Sequence, residues 1–213
     1  MTRKNKLPQF PDSYLGEKSY EYDNSTWMER NQKRTTLICL QYLFDEKLNK
    51  VGKEDILDDK NYLILDLGCG TGFSSEILMN SGLRVIGIDI LLDMLIKARN
   101  KFNQLESSSN LNLILADMKH LPIRAQSIDH IVSVSAYNFI LHDTKHYKDK
   151  IKKANDIAKF LNKTLKENGR IIIELYPKDE KELTLFKSSF TNNGFDGFII
   201  KKNPKQTKGQ TFL

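Results

Sequence analysis

The sequence predicts one α/β domain, a mostly parallel sheet with helices on both faces. Three observations lead there. From residue 62 onward, short apolar runs alternate with amphipathic stretches, and strands alternating with helices of about 10–15 residues mark βαβ units. Three glycines, Gly68, Gly70 and Gly72, directly follow the first apolar run, where a strand must turn into a helix. The chain has 213 residues, enough for one domain with a sizeable core.

Each element follows in order. Residues 1–58 are polar, with a helical pattern from about Trp27 to Leu48 whose apolar face holds Leu37, Ile38, Leu40, Leu43 and Phe44. "YLILDL" (62–67) reads as a buried strand and "FSSEILMNSG" as a helix stopped by Gly82. "RVIGID" (84–89) is the next strand and "LDMLIKARNKF" (92–102) the next helix. After the turn-rich "ESSSN" (106–110) come strands at "LNLILAD" (111–117) and "SIDHIVSVSA" (127–136), then a helix over 150–166. "GRIIIELY" (169–176) is a fifth strand, followed by a helix from about Asp179 to Asn193. "GFIIKK" (197–202) is a sixth strand and "GQTFL" (209–213) a seventh. Right-handed crossovers place ligands beyond the carboxyl ends of such strands, at the switch in strand order. The loops at 66–74, 89–94, 117–124, 135–149 and 176–179 therefore carry the chemistry.

Bulk properties bound the function. The net charge is +6, concentrated in lysine-rich stretches. "KHYKDKIKK" (145–153) holds five lysines against one acid, and "KKNPKQTKGQ" (201–210) four against none. Such segments suit a phosphate backbone or serve as a solvated face. The basic start has no following apolar region of a secretory signal, and no apolar run reaches the roughly 20 residues of a membrane span. Cys39 and Cys69 are far apart and form no CxxC, so neither a disulfide framework nor a metal site is expected, and a reducing, cytoplasmic setting fits.

The loop "LDLGCGTGFS" (65–74) lacks the lysine of a triphosphate loop, and its GxGxG spacing is not the GxGxxG of dinucleotide sites. Asp66, two residues before the first glycine, would face a pyrophosphate unfavourably and an ammonium favourably. S-adenosylmethionine has the matching groups: an ammonium, a sulfonium and an adenosine, without phosphate. Gly68 and Gly70 let the backbone approach it closely. Asp89 ends the second strand, about 20 residues on, at the spacing of a carboxylate that accepts from ribose hydroxyls. Asp117 ends the third and can accept from the adenine amino group while Met118 packs on the ring.

"LDLGCGTG", "GIDI" and "ADM" resemble the first three motifs of class I S-adenosylmethionine-dependent methyltransferases, a Rossmann-like fold with a seven-stranded sheet. The resemblance spans about residues 20 to 213. "SVSAYNFI", "ELYPKDEKEL" and "GFDGFIIKKNPKQTKGQTFL" are similar to one subfamily, the small-subunit ribosomal RNA guanine-N(7) methyltransferases, here as an archaeal-type relative. That family's fourth motif reads roughly S-A-V-Q-W; here it is Ser135, Ala136, Tyr137, Asn138, Phe139. Leu175, Tyr176 and Pro177 match the step after strand five. The step Asn203, Pro204, Lys205 stands where the family has Tyr-Pro-Asn, and an end at Leu213 corresponds to a shorter basic tail. The resemblance implies residues 1–58 as a helical cap over the cofactor, with Tyr22, Met28 and Gln32 at the family's spacing, and residues 59–213 as the core. It extends the cofactor contacts to Tyr22, Cys69, Gly72, Ile90 and Ser135. It also implies a partner, a small zinc-ribbon activator pairing along strand 111–116 in a heterodimer. That strand has no lysine to block pairing, and an exposed apolar edge needs cover unless helices bury both faces within the monomer.

On the acceptor side, Tyr137, Phe139 and Tyr176 are the aromatic candidates to stack on a flipped-out guanine. Asn138 and the Ala136 carbonyl would orient it. Guanine N7 carries a lone pair and no proton, so no general base is expected; His142 and Asp143 are the nearest candidates if one is used. Lys145, Lys148, Lys150, Lys152 and Lys153, with Lys201, Lys202, Lys205 and Lys208, would contact ribosomal RNA or a pre-small subunit. Three alternatives stay open: a small-molecule methyltransferase, a transfer-RNA methyltransferase, and a ribosome assembly factor with little turnover.

Overall fold

The computed structural model describes residues 10–45, 61–103, 109–202 and 210–213. A short 3-10 helix, Asp12–Tyr14, leads into α1 (Glu17–Asp23) and α2 (Thr26–Leu43). The sheet and its helices follow as β1 (Leu63–Leu67), α3 (Phe73–Asn80), β2 (Arg84–Asp89), α4 (Leu92–Phe102), β3 (Leu111–Leu115) and β4 (Ile128–Ser133). A second 3-10 helix, Tyr137–Leu141, precedes α5 (Tyr147–Thr164), β5 (Leu165–Leu175), α6 (Glu180–Thr191), β6 (Ile200–Lys202) and β7 (Gln210–Phe212).

The seven strands lie in the order β3-β2-β1-β4-β5-β7-β6. The first five are parallel, and β7 runs antiparallel between β5 and β6. The chain winds outward from β1 to β3 and then returns to place β4 beside β1, so the order reverses between β1 and β4. Strand alternation divides the core. Leu65, Leu67, Ile131 and Ile173 pack under α5 and α6, whereas Ile64, Val85 and Val132 pack with Ile38, Cys39, Leu78 and Phe102 of α2, α3 and α4.

Boundaries differ from the sequence reading where tertiary contacts decide them. The first long helix ends at Leu43, with Phe44 as its cap, rather than at Leu48; residues 46–60, including the 58/59 boundary, lie outside the described residues. α1 has no apolar period to betray it and buries only Ser19. It is held by the Gly16 N–H donating to Asp93 at 2.7 Å and by a 3.0 Å Lys101–Asp23 ion pair. β5 begins at Leu165, directly after α5 and four residues earlier than its apolar run, because Leu165 pairs with Ile128 ahead of a register shift. Its Gly169 stands where a Cβ would lie 2.7 Å from the Asp129 carbonyl oxygen. Among the described residues no helix is long and apolar enough to cross a membrane. Asn203, Pro204, Lys205 and Lys208 lie outside the described residues.

Candidate functional site

The loops after β1 and β4 flank the reversal in strand order. Their closest approach is at Gly68, with φ +73°, where a Cβ would lie 2.3 Å from Ala136 Cβ and 3.0 Å from Met118 Cε. The loop after β3 thus meets the other two at one glycine. The turn itself is made by backbone, since the Gly68 and Cys69 N–H groups both donate to the Ile88 carbonyl, at 2.7 and 3.0 Å.

Asp66, next to last in β1, is fully buried. Its Oδ2 accepts from the Ser74 and Ser75 hydroxyls at 2.7 Å each, and Oδ1 has no partner among the described residues. Burial raises its carboxyl from 3.8 to about 6, against the lowering effect of the two serines. A bound ammonium would satisfy an orphaned carboxylate oxygen of this kind. Asp89, at the end of β2, accepts from the Gly70 N–H at 2.9 Å and the Leu91 N–H at 2.8 Å. These bonds lace the first two loops together and leave lone pairs over. Burial raises its carboxyl as well. Ile90 beside it is 47% exposed. Asp117 is more occupied than the sequence implies, accepting from its own turn at the Lys119 N–H, 3.0 Å, and pairing with the Lys119 ammonium at 3.3 Å.

Two loop residues also have a packing role. The Cys69 thiol is buried, and a Cβ on Gly87 would lie 3.0 Å from its sulfur; the side chain packs under β2, and burial raises the thiol well above its usual range. Gly72 has φ +86°, and a Cβ there would stand 2.4 Å from the Phe102 ring. Its need for glycine comes from seating α3 against α4.

The N-terminal segment closes over this end of the sheet. Tyr22 stacks near Phe73 and Tyr14, with centroids at 6.2 and 5.3 Å, and its hydroxyl accepts from Gln32. Phe10 stacks on Phe139 at 4.9 Å. Burial, and then the charge of Asp89, raises the Tyr14 phenol to about 12, and Tyr22 is raised further by burial. Met28 takes a different part: its N–H donates to Ser25, capping α2.

On the acceptor side the structure corrects one residue and sharpens two. Tyr137 is fully buried, packed on Phe186 and Phe190 with centroids 5.7 and 5.6 Å away, so its ring is core and offers no stacking face. The residues Tyr137, Ile140 and Leu141 all turn inward on the 3-10 helix, a spacing that was visible in the sequence. The Ala136 carbonyl accepts from the Phe139 N–H at 3.0 Å, so it is already engaged in that turn. Tyr176, by contrast, is 51% exposed. Its N–H donates to Asn138 Oδ1 and its hydroxyl to Glu174 Oε1, both at 2.7 Å. Ser135, with φ +57°, donates to Glu174 Oε2 at 2.8 Å.

Glu174 escaped the sequence reading. Fully buried on β5, it also accepts from Gln210 at 2.8 Å and Thr35 at 3.4 Å. It thereby ties α2, β7 and both acceptor loops to one carboxylate. The signal was an acid inside the apolar run "IIIEL" of a central strand, which burial makes costly without partners.

The two base candidates sit together after the acceptor loop. His142 Nδ1 lies 2.8 Å from the Phe139 carbonyl. Asp143 pairs with Lys153 and, at 3.6 Å, with Lys119, and the Lys153 ammonium holds its carboxyl well below the usual range. Lys153 is therefore not among the unpaired ammonium groups expected to meet RNA, and Lys201 pairs with Glu180 at 3.0 Å.

Known proteins share this fold. An S-adenosylmethionine-dependent methyltransferase from Aquifex aeolicus superposes with a TM-score of 0.61 at 15% identity, over 92% of this chain and 95% of its own. Magnesium protoporphyrin IX methyltransferase from Synechocystis, solved with S-adenosylmethionine bound, gives 0.59 at 18% over 93% and 96%. These likenesses show the fold. In sequence, the 18S rRNA (guanine-N(7))-methyltransferase of Bos taurus is 30% identical over 156 residues, 73% of this chain and 53% of that protein. The 18S rRNA (guanine(1575)-N(7))-methyltransferase of Saccharomyces cerevisiae is 28% identical over 207 residues, 96% and 68% respectively. The chain thus spans about half the length of the bovine relative and two thirds of the yeast one. A methyltransferase-domain model matches residues 58–210, well over half of the chain, and the chain belongs to that family.

Proposed function

We propose that the chain is an S-adenosylmethionine-dependent methyltransferase that methylates guanine N7 in small-subunit ribosomal RNA. The observation that carries the reading is the meeting of Gly68, Ala136 and Met118, which brings the donor and acceptor loops together at the reversal of strand order. The likeness to the bovine and yeast 18S rRNA guanine-N(7) methyltransferases supports the acceptor.

The residues fit the cofactor. Asp66 Oδ1 offers an unpaired buried acceptor to an ammonium, while Gly68 and Gly70 keep the backbone approachable. Asp89 would accept from ribose hydroxyls, with Tyr22 close by; Ile90, Asp117 and Met118 would border the adenosine, and Ser135, after β4, would complete the cofactor contacts. When bound, S-adenosylmethionine supplies an electrophilic methyl carbon on its sulfonium. The protein's part is to align the acceptor and exclude water. Tyr176 gives the stacking face, Asn138 the polar edge, and Ala136 a small side chain beside the donor loop.

In this reading residues 1–58 are the cap and 59–213 the catalytic core of a cytoplasmic heterodimer. The activator, a small zinc-ribbon protein, pairs with β3. That strand is the sheet's outer edge, and Leu115, Ile90, Leu92 and Ile96 are exposed around its end. Lys145, Lys148, Lys150 and Lys152 face RNA phosphates. The test is calorimetry with S-adenosylmethionine, followed by transfer of its labelled methyl group to small ribosomal subunits by the activator-bound chain. Binding that is lost in Asp89→Ala, and label in the RNA, are expected. Label entering only small metabolites would overturn the RNA acceptor.

A further inference from the structure

We infer that Asn138 sets base specificity, reading a ring carbonyl next to the methylated nitrogen and rejecting an exocyclic amine at that position. The inference rests on the RNA-guanine reading above and adds the residue that chooses the base.

The two ends of a side-chain amide differ chemically, and here a neighbour fixes which is which. The Tyr176 backbone N–H points at the Asn138 amide, 2.7 Å from Oδ1. A backbone N–H can only donate, so the amide atom facing it must be the oxygen. Reversal would set N–H against N–H. The Nδ2 group is therefore held on the other side, and among the described residues it donates to none. Asn138 thus shows a fixed pair of donors.

Tyr176 is itself held at both ends, by Asn138 at its N–H and by buried Glu174 at its hydroxyl. Tyr176 as a whole is half exposed, beside the Asn138 amide. A base stacked on that ring meets N–H groups at its edge. The guanine edge carries two acceptors, O6 and N7; adenine replaces O6 by an amino donor. Donation from Nδ2 to O6 leaves the N7 lone pair directed at the donor loop. An adenine in the same place would oppose its amino group to the Asn138 amide, and a site built to hydrogen-bond a group rejects an analogue lacking it.

The test uses the activator-bound chain and a short RNA carrying the target nucleotide as guanosine, inosine or 2-aminopurine. Inosine keeps O6 and N7; 2-aminopurine lacks O6 and keeps N7. The variant is Asn138→Asp, which still accepts from the Tyr176 N–H but turns an acceptor oxygen toward the base. The variant should bind S-adenosylmethionine as the wild type does and lose roughly 30-fold or more in kcat/KM on guanosine and on inosine. On 2-aminopurine the two proteins should differ by less than about threefold, because the contact being removed is absent there. Equal losses on all three bases would mean a merely structural role and overturn the inference. So would unchanged activity on guanosine. A wild type that methylates adenosine in the same RNA overturns the specificity inference while leaving the methyltransferase reading intact. A wild type that methylates no RNA purine overturns both.

Discussion

At the scale of single residues, Asp66 and the loop glycines carry separable predictions. Asp66 ionises near 3.8 in the unfolded chain and near 6 in the fold, because burial penalises its charge. Between those pH values the folded chain keeps a proton that the unfolded chain has lost, so stability falls as pH rises through the window and stays lower above it. The loss is up to about 3 kcal/mol for a shift of roughly two units. Without ligand, the thermal midpoint should be lower at pH 7 than at pH 5. Asp66→Asn should flatten much of that slope, the remainder coming from Asp89, whose carboxyl is raised in the same direction. A variant with the wild-type slope would show that Asp66 is not the titrating group. Gly72 belongs to packing: Gly72→Ala forces a side chain into positive φ against Phe102 and should cost roughly 2 kcal/mol in urea unfolding. An unchanged midpoint would mean that Phe102 yields. From sequence the packing demand on Gly72 was not visible, because Phe102, which it meets, lies far along the chain in α4.

At the scale of elements, the parallel strands were legible because each is an uninterrupted apolar run, and α3, α4 and α6 because their apolar spacing is helical. What escaped depends on contacts between distant segments. α1 is held by Asp93 and Lys101 and has no apolar stripe of its own. Tyr137 read as a ligand-facing aromatic because it follows a strand end, yet the 3-10 turn points it into the core. Glu174 is the element-scale counterpart, one carboxylate joining α2, β5, β7 and the loop after β4. Glu174→Leu strands the hydroxyls of Ser135 and Tyr176 and the Gln210 amide. It should lower stability by roughly 3 kcal/mol or more and reduce methyl transfer more than cofactor affinity. Thermal unfolding and calorimetry on the same sample check both parts, and a variant that melts with the wild type would remove Glu174 as the tie between these elements.

At the scale of the whole molecule, fold class and the three strand-end carboxylates could be read from the sequence, whereas the order of the strands, with β7 inserted antiparallel between β5 and β6, came from the structure and the surfaces could be read only in outline. Lysine-rich runs announced a basic face, within which Lys153 pairs with Asp143 and Lys201 with Glu180. Replacing Lys145, Lys148, Lys150 and Lys152 by alanine should flatten the dependence of log K for RNA on log salt by roughly 0.7 per lost phosphate contact on single-stranded RNA. An unchanged slope would place the RNA elsewhere. Leu115, 54% exposed on the edge strand, should be required for the activator: Leu115→Lys keeps cofactor binding and loses co-purification of the two chains, and retention of the complex would move the partner off β3. The central claim concerns the product. After reaction with small ribosomal subunits, borohydride reduction and aniline treatment cleave RNA only where a guanine has been methylated at N7. The account predicts one new cleavage in the small-subunit RNA, dependent on S-adenosylmethionine and abolished by Asp89→Ala; incorporated methyl label without any such cleavage would contradict it.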